Sequence, residues 1–98
     1  MAGAVRKGDN TSGHGSYGQQ IITSGSNNVF VNSQPAVTVG DSVSEHCAYV
    51  GEDYVCHVGE VVGGSNNVFV NGKPKARVGD GISCGGVTYN GSCDVIVN

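Results

Sequence analysis

One octapeptide occurs twice in this chain without a single change, and this repeat constrains the possible folds more than any other feature. Residues 25–32 and 64–71 both read Gly-Ser-Asn-Asn-Val-Phe-Val-Asn. A looser third copy, Gly-Ser-Cys-Asp-Val-Ile-Val-Asn, occupies residues 91–98. Self-similarity of this kind is the sequence signature of a repeated structural unit. We therefore expect one small structural element to be built three times.

A second element follows the first two copies, after a short turn. Residues 34–41 read Gln-Pro-Ala-Val-Thr-Val-Gly-Asp, and residues 73–80 read Lys-Pro-Lys-Ala-Arg-Val-Gly-Asp. Asn71-Gly72 is a favoured two-residue hairpin turn, and Asn32-Ser33 is a weaker form of it. Each pair of elements therefore predicts a β-hairpin. Residues 5–9 end in the same Gly-Asp, which predicts a third hairpin divided between the two ends of the chain.

Composition supports an all-β fold. The chain has 17 Gly and 17 Val among its 98 residues and no Leu, which argues against helical architectures because Val favours strands. We expect a single domain over residues 1–98, in which three antiparallel hairpins close on themselves with approximate threefold symmetry and leave few free strand edges. The alternative is an ordinary small β-sandwich with an accidental repeat. A core this thin also predicts a staple, a metal or a partner.

Charge and hydropathy exclude several classes of function. The net charge is −3 with only five Lys and Arg, so no basic stripe exists for nucleic acid. The longest apolar stretches are four or five residues, too short for a membrane span or a signal peptide. We therefore expect a protein made in the cytoplasm that leaves its cell, if it does, by another route.

Every His and three of the four Cys lie in the segments between a Gly-Asp and the next Gly-Ser. His14 and His46 each follow the Asp of a Gly-Asp by five residues, and Cys84 follows by four. The pseudo-symmetry predicts that these three meet near the axis, where the returning arm of the longest segment adds His57. Three imidazoles and one thiolate suit a closed, structural, tetrahedral zinc site, although iron tolerates the same donors.

The other cysteines leave alternatives open. Cys47 and Cys56 each flank a predicted ligand, so they form a disulfide or one of them replaces a histidine in the site. A framework of two disulfides, with three possible connectivities, would instead suit a secreted binding module. Cys93 begins a strand away from the predicted site, and we interpret it as a small packed thiol.

Catalytic chemistry is not expected. The carboxylates of the longest segment have no spacing that would place two of them face to face, and the recurring Asp9, Asp41 and Asp80 are typical of turns. A catalytic zinc needs an open position, whereas four protein ligands fill the shell. We predict that the protein is not an enzyme; the alternative is a small zinc hydrolase.

These residues also carry a family resemblance. Pro74-Lys75-Ala76-Arg77 is a variant of the Pro-Ala-Ala-Arg signature, followed by Val-Gly-Asp at residues 78–80 and Ser-Cys-Gly at residues 83–85. Over essentially its full length the chain resembles a PAAR-repeat protein. Residues 35–38 are a looser copy that lacks the Arg, so no role is transferred to Thr38.

The resemblance implies a sharp cone with pseudo-threefold symmetry that caps the trimeric β-helical spike of a type VI secretion system or a contractile phage tail. The partner would be a valine-glycine repeat spike protein or a phage tail spike, with one tip per trimer and transient contact with the target envelope. It also implies a metal near the tip, held by His14, His46, His57 and Cys84. Without an effector extension, the chain would be a bare piercing tip.

The direction of the chain predicts which end is which. The base should involve the hairpin turns near residues 32–34 and 71–73 and the meeting of residues 2–3 with Asn98. The apex should consist of the segments that carry the metal ligands.

Overall fold

Four two-stranded antiparallel sheets make up the protein in a computed structural model that describes residues 2–98. The strands are β1 (Ala2–Gly3), β2 (Phe30–Val31), β3 (Gln34–Pro35), β4 (Ser42–Val50), β5 (Asp53–Glu60), β6 (Phe69–Val70), β7 (Lys73–Pro74) and β8 (Ile96–Val97). Within residues 2–98 there is no helix long and apolar enough to cross a membrane. The all-β prediction is confirmed.

Three of the sheets are the hairpins that the repeat predicts. β2 pairs with β3 through a turn in which Asn32 and Ser33 have φ of 52° and 68°, and β6 pairs with β7 through Asn71 and Gly72 at 53° and 81°. Two successive positive φ angles define the type I′ turn that matches strand twist. The third hairpin has no turn, because β1 pairs with β8 across the two chain ends.

A closed ring of backbone hydrogen bonds joins the three hairpins at their axis. The N–H of Val5 donates to the carbonyl of Ala76 (3.2 Å), that of Ala76 to Val37 (3.0 Å), and that of Val37 to Val5 (3.2 Å). These residues occupy the same place in the three copies, four residues before the Asp of each Gly-Asp. The approximate threefold symmetry is therefore present in the hydrogen bonding itself.

The ammonium of Lys75 lies at the centre of this ring and binds its three carbonyls. Its side chain is 3% exposed, and its Nζ donates to the carbonyls of Val5 (2.8 Å), Val37 (3.0 Å) and Ala76 (2.9 Å). Burial lowers the pKa of Lys75 to about 8, so the ammonium is still largely protonated at pH 7. All three N–H donors of the ammonium are thereby used, as a buried charge requires.

The recurring Gly-Ser and Gly-Asp dipeptides have local structural roles. Each Ser hydroxyl accepts two backbone N–H groups two and three residues later, as Ser65 does from Asn67 and Val68. A side chain at Gly64 would place its Cβ 2.8 Å from the Cβ of Pro74, so the close approach of the two arms requires glycine. The carboxylates of Asp9, Asp41 and Asp80 each accept the backbone N–H three residues earlier, which confirms their interpretation as turn residues.

The apolar core is small and follows the same symmetry. One cluster contains Val5, Ile22, Val37, Val43, Val61, Ala76 and Ile82. A second, nearer the hairpin turns, contains Ala4, Val31, Ala36 and Val97. Buried threonines replace two of these apolar residues in other copies: Thr88 is equivalent to Ile22, and Thr11 is equivalent to Val43. They reduce the apolar content of the core further. Cross-links beyond packing are therefore needed for stability.

The fourth sheet differs from what we expected. Residues 42–63 are the longest of the three segments that carry the predicted ligands, and we expected a loop there, but β4 and β5 pair along most of their length to form a long hairpin. Successive residues of each strand face opposite sides of the hairpin. The two strands are joined by a turn that contains Gly51, whose φ is 64°. This apical hairpin lengthens the molecule, which measures 43 × 24 × 20 Å.

The interpretation of Cys93 was wrong. Its thiol is free and the residue is exposed rather than packed. Cys93 stands where the other copies have Asn27 and Asn66, both of which are also exposed. The two equivalent asparagines mark this as a surface position, and it is exposed in the third copy as well.

We predict that Lys75→Met destabilises the protein by about 2–4 kcal/mol. Methionine fills similar space, but three buried carbonyls lose a charged donor while each keeps one backbone partner. Lys7→Met is the matched control, since Lys7 is exposed and the charge change is the same; its effect should stay within about 0.5 kcal/mol. Equal effects of the two variants in urea denaturation would contradict the role of Lys75.

Candidate metal centre

The structure brings all four predicted ligands together. The ligand atoms of His14, His46, His57 and Cys84 lie within 4.8 Å of one another. His46 and His57 face each other on β4 and β5, where they form a register pair. His14 lies in a tight turn in which it exchanges both backbone hydrogen bonds with Tyr17, and Cys84 lies in the turn before Gly85. The site therefore combines all three apical segments.

Two glycines make room for this convergence. A Cβ at Gly59 would lie 2.9 Å from the Sγ of Cys84, and one at Gly85 would lie 3.1 Å from the ring of His14. Gly85 also has φ 115°, a conformation that L side chains rarely adopt. The backbone thus approaches two of the predicted ligands more closely than any other residue type would permit.

All three imidazoles direct their Nε2 atom toward a common centre. The Nε2 of His14 lies 3.1 Å from the Nε2 of both His46 and His57, and those two nitrogens are 2.6 Å apart. In tetrahedral zinc, with Zn–N bonds near 2.0 Å, nitrogen ligands lie roughly 3.3 Å from one another. Two sides of the nitrogen triangle, at 3.1 Å, are close to that length, and the third, at 2.6 Å, is shorter.

Hydrogen bonding alone does not account for this triangle. The Nδ1 of His46 lies 2.8 Å from the carbonyl oxygen of Gly18, so Nδ1 carries the proton and donates a hydrogen bond to that oxygen, which leaves a lone pair on Nε2. Three ring nitrogens around one point cannot each find a donor in the other two. A cation at the centre would satisfy all of them, so the donor set fits a metal.

The electrostatics favour a neutral ring at His57. Desolvation, followed by the neighbouring His46 and His14, lowers the pKa of His57 below its ordinary value. The neutral form of an imidazole is the one that binds a metal. The surroundings of His57 therefore keep its ring in the form that can bind a metal.

Two residues of the site were missed by sequence reasoning. Tyr17 packs on His46 and His57, with ring centroids 4.7 and 4.3 Å apart, and so shields one side of the imidazoles. Gln20 is 1% exposed; its Oε1 lies 3.7 Å from the Sγ of Cys84, and its Nε2 donates to the carbonyl of Ser44. Neither position repeats in the other copies, so the repeat offered no signal for them.

Cys47 and Cys56 form a disulfide, which answers a question that the sequence left open. They occupy the register position directly beyond His46 and His57 in the apical hairpin. Because successive strand residues point to opposite faces, the disulfide lies on the face away from the histidines. Cys84 and Cys93 are both free, so the four cysteines do not form two disulfides.

We predict that replacing both Cys47 and Cys56 with Ser lowers the free energy of unfolding by about 2–4 kcal/mol, because the cross-link no longer restricts the unfolded chain. A phosphine reductant should lower the stability of the wild-type protein by a similar amount and leave the double variant unchanged. Cys93→Ser, which removes an exposed free thiol, is the control. Loss of stability in that control but not in the double variant would contradict the prediction.

Comparison with known proteins agrees with the geometry. The family model described as PAAR motif matches residues 7–89, and this range includes all four residues of the candidate centre. No curated protein gives a significant match. The matched range covers most of the 98 residues, and the all-β hairpin architecture agrees with the small cone-like fold of that family. The chain therefore belongs to the PAAR-motif family, whose members form the spike tips of contractile injection systems.

Proposed function

We propose that this protein caps and sharpens the trimeric β-helical spike of a contractile injection machine, as one rigid tip per trimer. The tip acts mechanically and catalyses no reaction. His14, His46, His57 and Cys84 hold a structural metal ion, with zinc as the candidate. The machine carries the tip outside the cell and drives it through the target envelope.

A threefold set of exposed apolar side chains carries this proposal. Phe30, Phe69 and Ile96 occupy the same position in the three hairpins, and they are 56%, 55% and 48% exposed. Each precedes the final Asn of its octapeptide by two residues, so the three lie beside the hairpin ends. We call this set the base triad. Large exposed apolar residues in a symmetric arrangement are typical of an interaction surface.

The symmetry of the base triad indicates the symmetry of its partner. A trimer presents the same surface three times around its axis. Three equivalent apolar side chains on one chain can occupy three equivalent sites on such a trimer at once. A blunt β-helix end also exposes unpaired backbone groups that a matching base would cover.

Asparagines at the hairpin turns stiffen this base. The Nδ2 of Asn71 donates to Asn28 of the preceding copy (2.9 Å), and that of Asn32 donates to Asp94 (2.9 Å). Each turn is thus tied to the start of a neighbouring strand. A base with cross-linked turns keeps the three side chains of the triad at fixed separations, which lowers the entropy cost of docking.

The centre at the other end supports a structural metal. Four protein side chains converge there, and four ligands complete a tetrahedral shell. When bound, the metal ties the three apical segments together and contributes folding free energy that the small core does not supply.

A zinc hydrolase would need a ligand position open to water. A secreted module with two disulfides is disfavoured by the free thiols of Cys84 and Cys93.

We predict that Cys84→Ala and His14→Ala each lose the metal and melt at lower temperature. If the metal contributes ~3 kcal/mol, the melting temperature should fall by about 12–24 °C. Cys93→Ala is the matched control, because it removes a free thiol that lies outside the cluster. Elemental analysis after purification without chelators measures the metal per chain. Full zinc content in both Cys84→Ala and His14→Ala would refute the assignment.

We predict that the double variant Phe30→Glu/Phe69→Glu loses binding to the spike trimer by roughly 10³-fold, if each Phe contributes about 2 kcal/mol. Both side chains are exposed in the free protein, so its melting temperature should change little. Tyr49→Glu/Tyr54→Glu is the control, since these exposed aromatics lie on the apical hairpin. Calorimetry with the trimer gives affinity and stoichiometry. Binding that fails only in the tyrosine variant would reverse the proposed orientation.

A further inference from the structure

The three Gly-Asp motifs are equivalent in backbone but differ in one side chain. Arg6 pairs with Asp9, its Nε 3.0 Å from Oδ2, and Arg77 pairs with Asp80, its Nη2 2.9 Å from Oδ1. In both pairs the guanidinium forms two hydrogen bonds to the carboxylate, the geometry that makes such pairs specific. The third motif has Thr38 in place of the arginine. Its carboxylate, Asp41, forms no ion pair within 4.0 Å among residues 2–98.

Asp41 keeps the backbone role of its equivalents but not the ion pair. Its Oδ2 accepts the backbone N–H of Thr38 (2.8 Å), as the other two carboxylates do in their motifs. Its Oδ1 accepts a single neutral hydrogen bond from the hydroxyl of Ser24 (2.9 Å). The Thr38 hydroxyl reaches Oδ2 only at 3.5 Å. The carboxylate is thus held in the orientation that receives a guanidinium elsewhere in the molecule.

A cavity of about 190 Å³ occupies the place of the missing guanidinium. Its lining includes Gly25, Ser26, Thr38, Asp41, Asn71 and Lys73. The equivalent sites that hold Arg6 and Arg77 show which of these groups would accept hydrogen bonds from a guanidinium. Arg77 donates to the carbonyl of Gly64, whose equivalent is Gly25, and Arg6 donates to the Oδ1 of Asn32, whose equivalent is Asn71.

Asn71 is already oriented for this role. Its Nδ2 donates to Ser26 and to Asn28, which leaves its Oδ1 available as an acceptor. Arg6 uses the carboxylate and the amide oxygen of its site, and Arg77 uses the carboxylate and the backbone carbonyl. The cavity offers the equivalents of all three acceptors. From this internal comparison we infer that the cavity is a binding site for a guanidinium group, supplied as an arginine side chain by a partner protein.

Lys73 is the competing cation. It lies on the rim of the cavity but forms no ion pair within 4.0 Å in the part of the chain that the structure describes. An ammonium on a flexible stem lacks the planar fork of a guanidinium and cannot bind both oxygens of a carboxylate through two parallel N–H groups. Lys73 thus reduces the affinity for an arginine without replacing it.

The position of the cavity indicates which partner supplies the arginine. Val70, Asn71 and Lys73 belong to the second hairpin and its turn, so the cavity opens beside the base. This step rests on the proposed function: the occupant is an arginine of the spike trimer seated on that base. Only one of three symmetry-related arginines finds an open site, because the other two positions are filled by Arg6 and Arg77.

The site is tested on the isolated chain with agmatine, a small guanidinium compound, by amide NMR titration. We expect saturable shifts at Gly25, Thr38 and Asn71 with a Kd on the order of 1–10 mM. Asp41→Asn should abolish these shifts, and Thr38→Arg should abolish them by filling the cavity. Putrescine, which has amines but no guanidinium, should bind at least about tenfold more weakly. Equal binding of the two compounds, or shifts that persist in Asp41→Asn, would overturn the inference.

Two further variants separate the site from its occupant. Thr38→Arg should raise the melting temperature, and the double variant Thr38→Arg/Asp41→Asn should lose that gain; a gain that survives in the double variant would overturn the ion pair. Thr38→Arg should also weaken binding to the spike trimer, and unchanged binding would overturn the trimer as the source of the arginine. Because the agmatine titration uses no partner, its failure leaves capping of the trimer intact. Failure of capping likewise leaves the titration result intact.

Discussion

The ring of three carbonyls around Lys75 is the interaction on which the rest of the structure depends. Each carbonyl has two lone pairs, of which the ring N–H uses one and the Nζ uses the other. Three carbonyl dipoles that point at one axis repel each other unless a cation lies between them. The axis has room for one lysine because the equivalent positions are Ala4 and Ala36, both fully buried. Three identical copies would place three ammonium groups there, so the fold needs copies that differ.

From this ring the same hydrogen bonds recur outward in all three copies. Lys7, Val39 and Val78 each donate a backbone N–H to the return strand of a neighbouring hairpin, at Pro35, Pro74 and Gly3. Hairpins too short to be stable alone are thereby held by their neighbours. The arrangement also explains how a split hairpin is tolerated, since Ala2 and Gly3 are fixed by both β8 and the second copy. Base and apex then follow from the direction of the chain.

The repeat predicted much of this structure, because symmetry converts sequence spacing into position. It placed the three hairpins, including the one formed by both chain ends, and it predicted that His14, His46, His57 and Cys84 would meet. Residues without an equivalent were not predictable in this way. The burial of Lys75 depends on carbonyls that are 38 and 70 residues distant in sequence. Tyr17 and Gln20 reach the candidate centre through contacts that no local pattern encodes, and the pairing of β4 with β5 was likewise missed.

The apical hairpin shows why a metal and a disulfide are not redundant in this molecule. His46 and His57 are a register pair, and a slip of one residue in either strand would turn one of them to the opposite face. The disulfide at the next register position prevents such a slip without contact with the histidines. A metal held with His14 and Cys84 would instead tie this hairpin to the other two segments. Register within the hairpin and attachment of the hairpin to the body are separate constraints, and a core this small leaves each of them to a cross-link of its own.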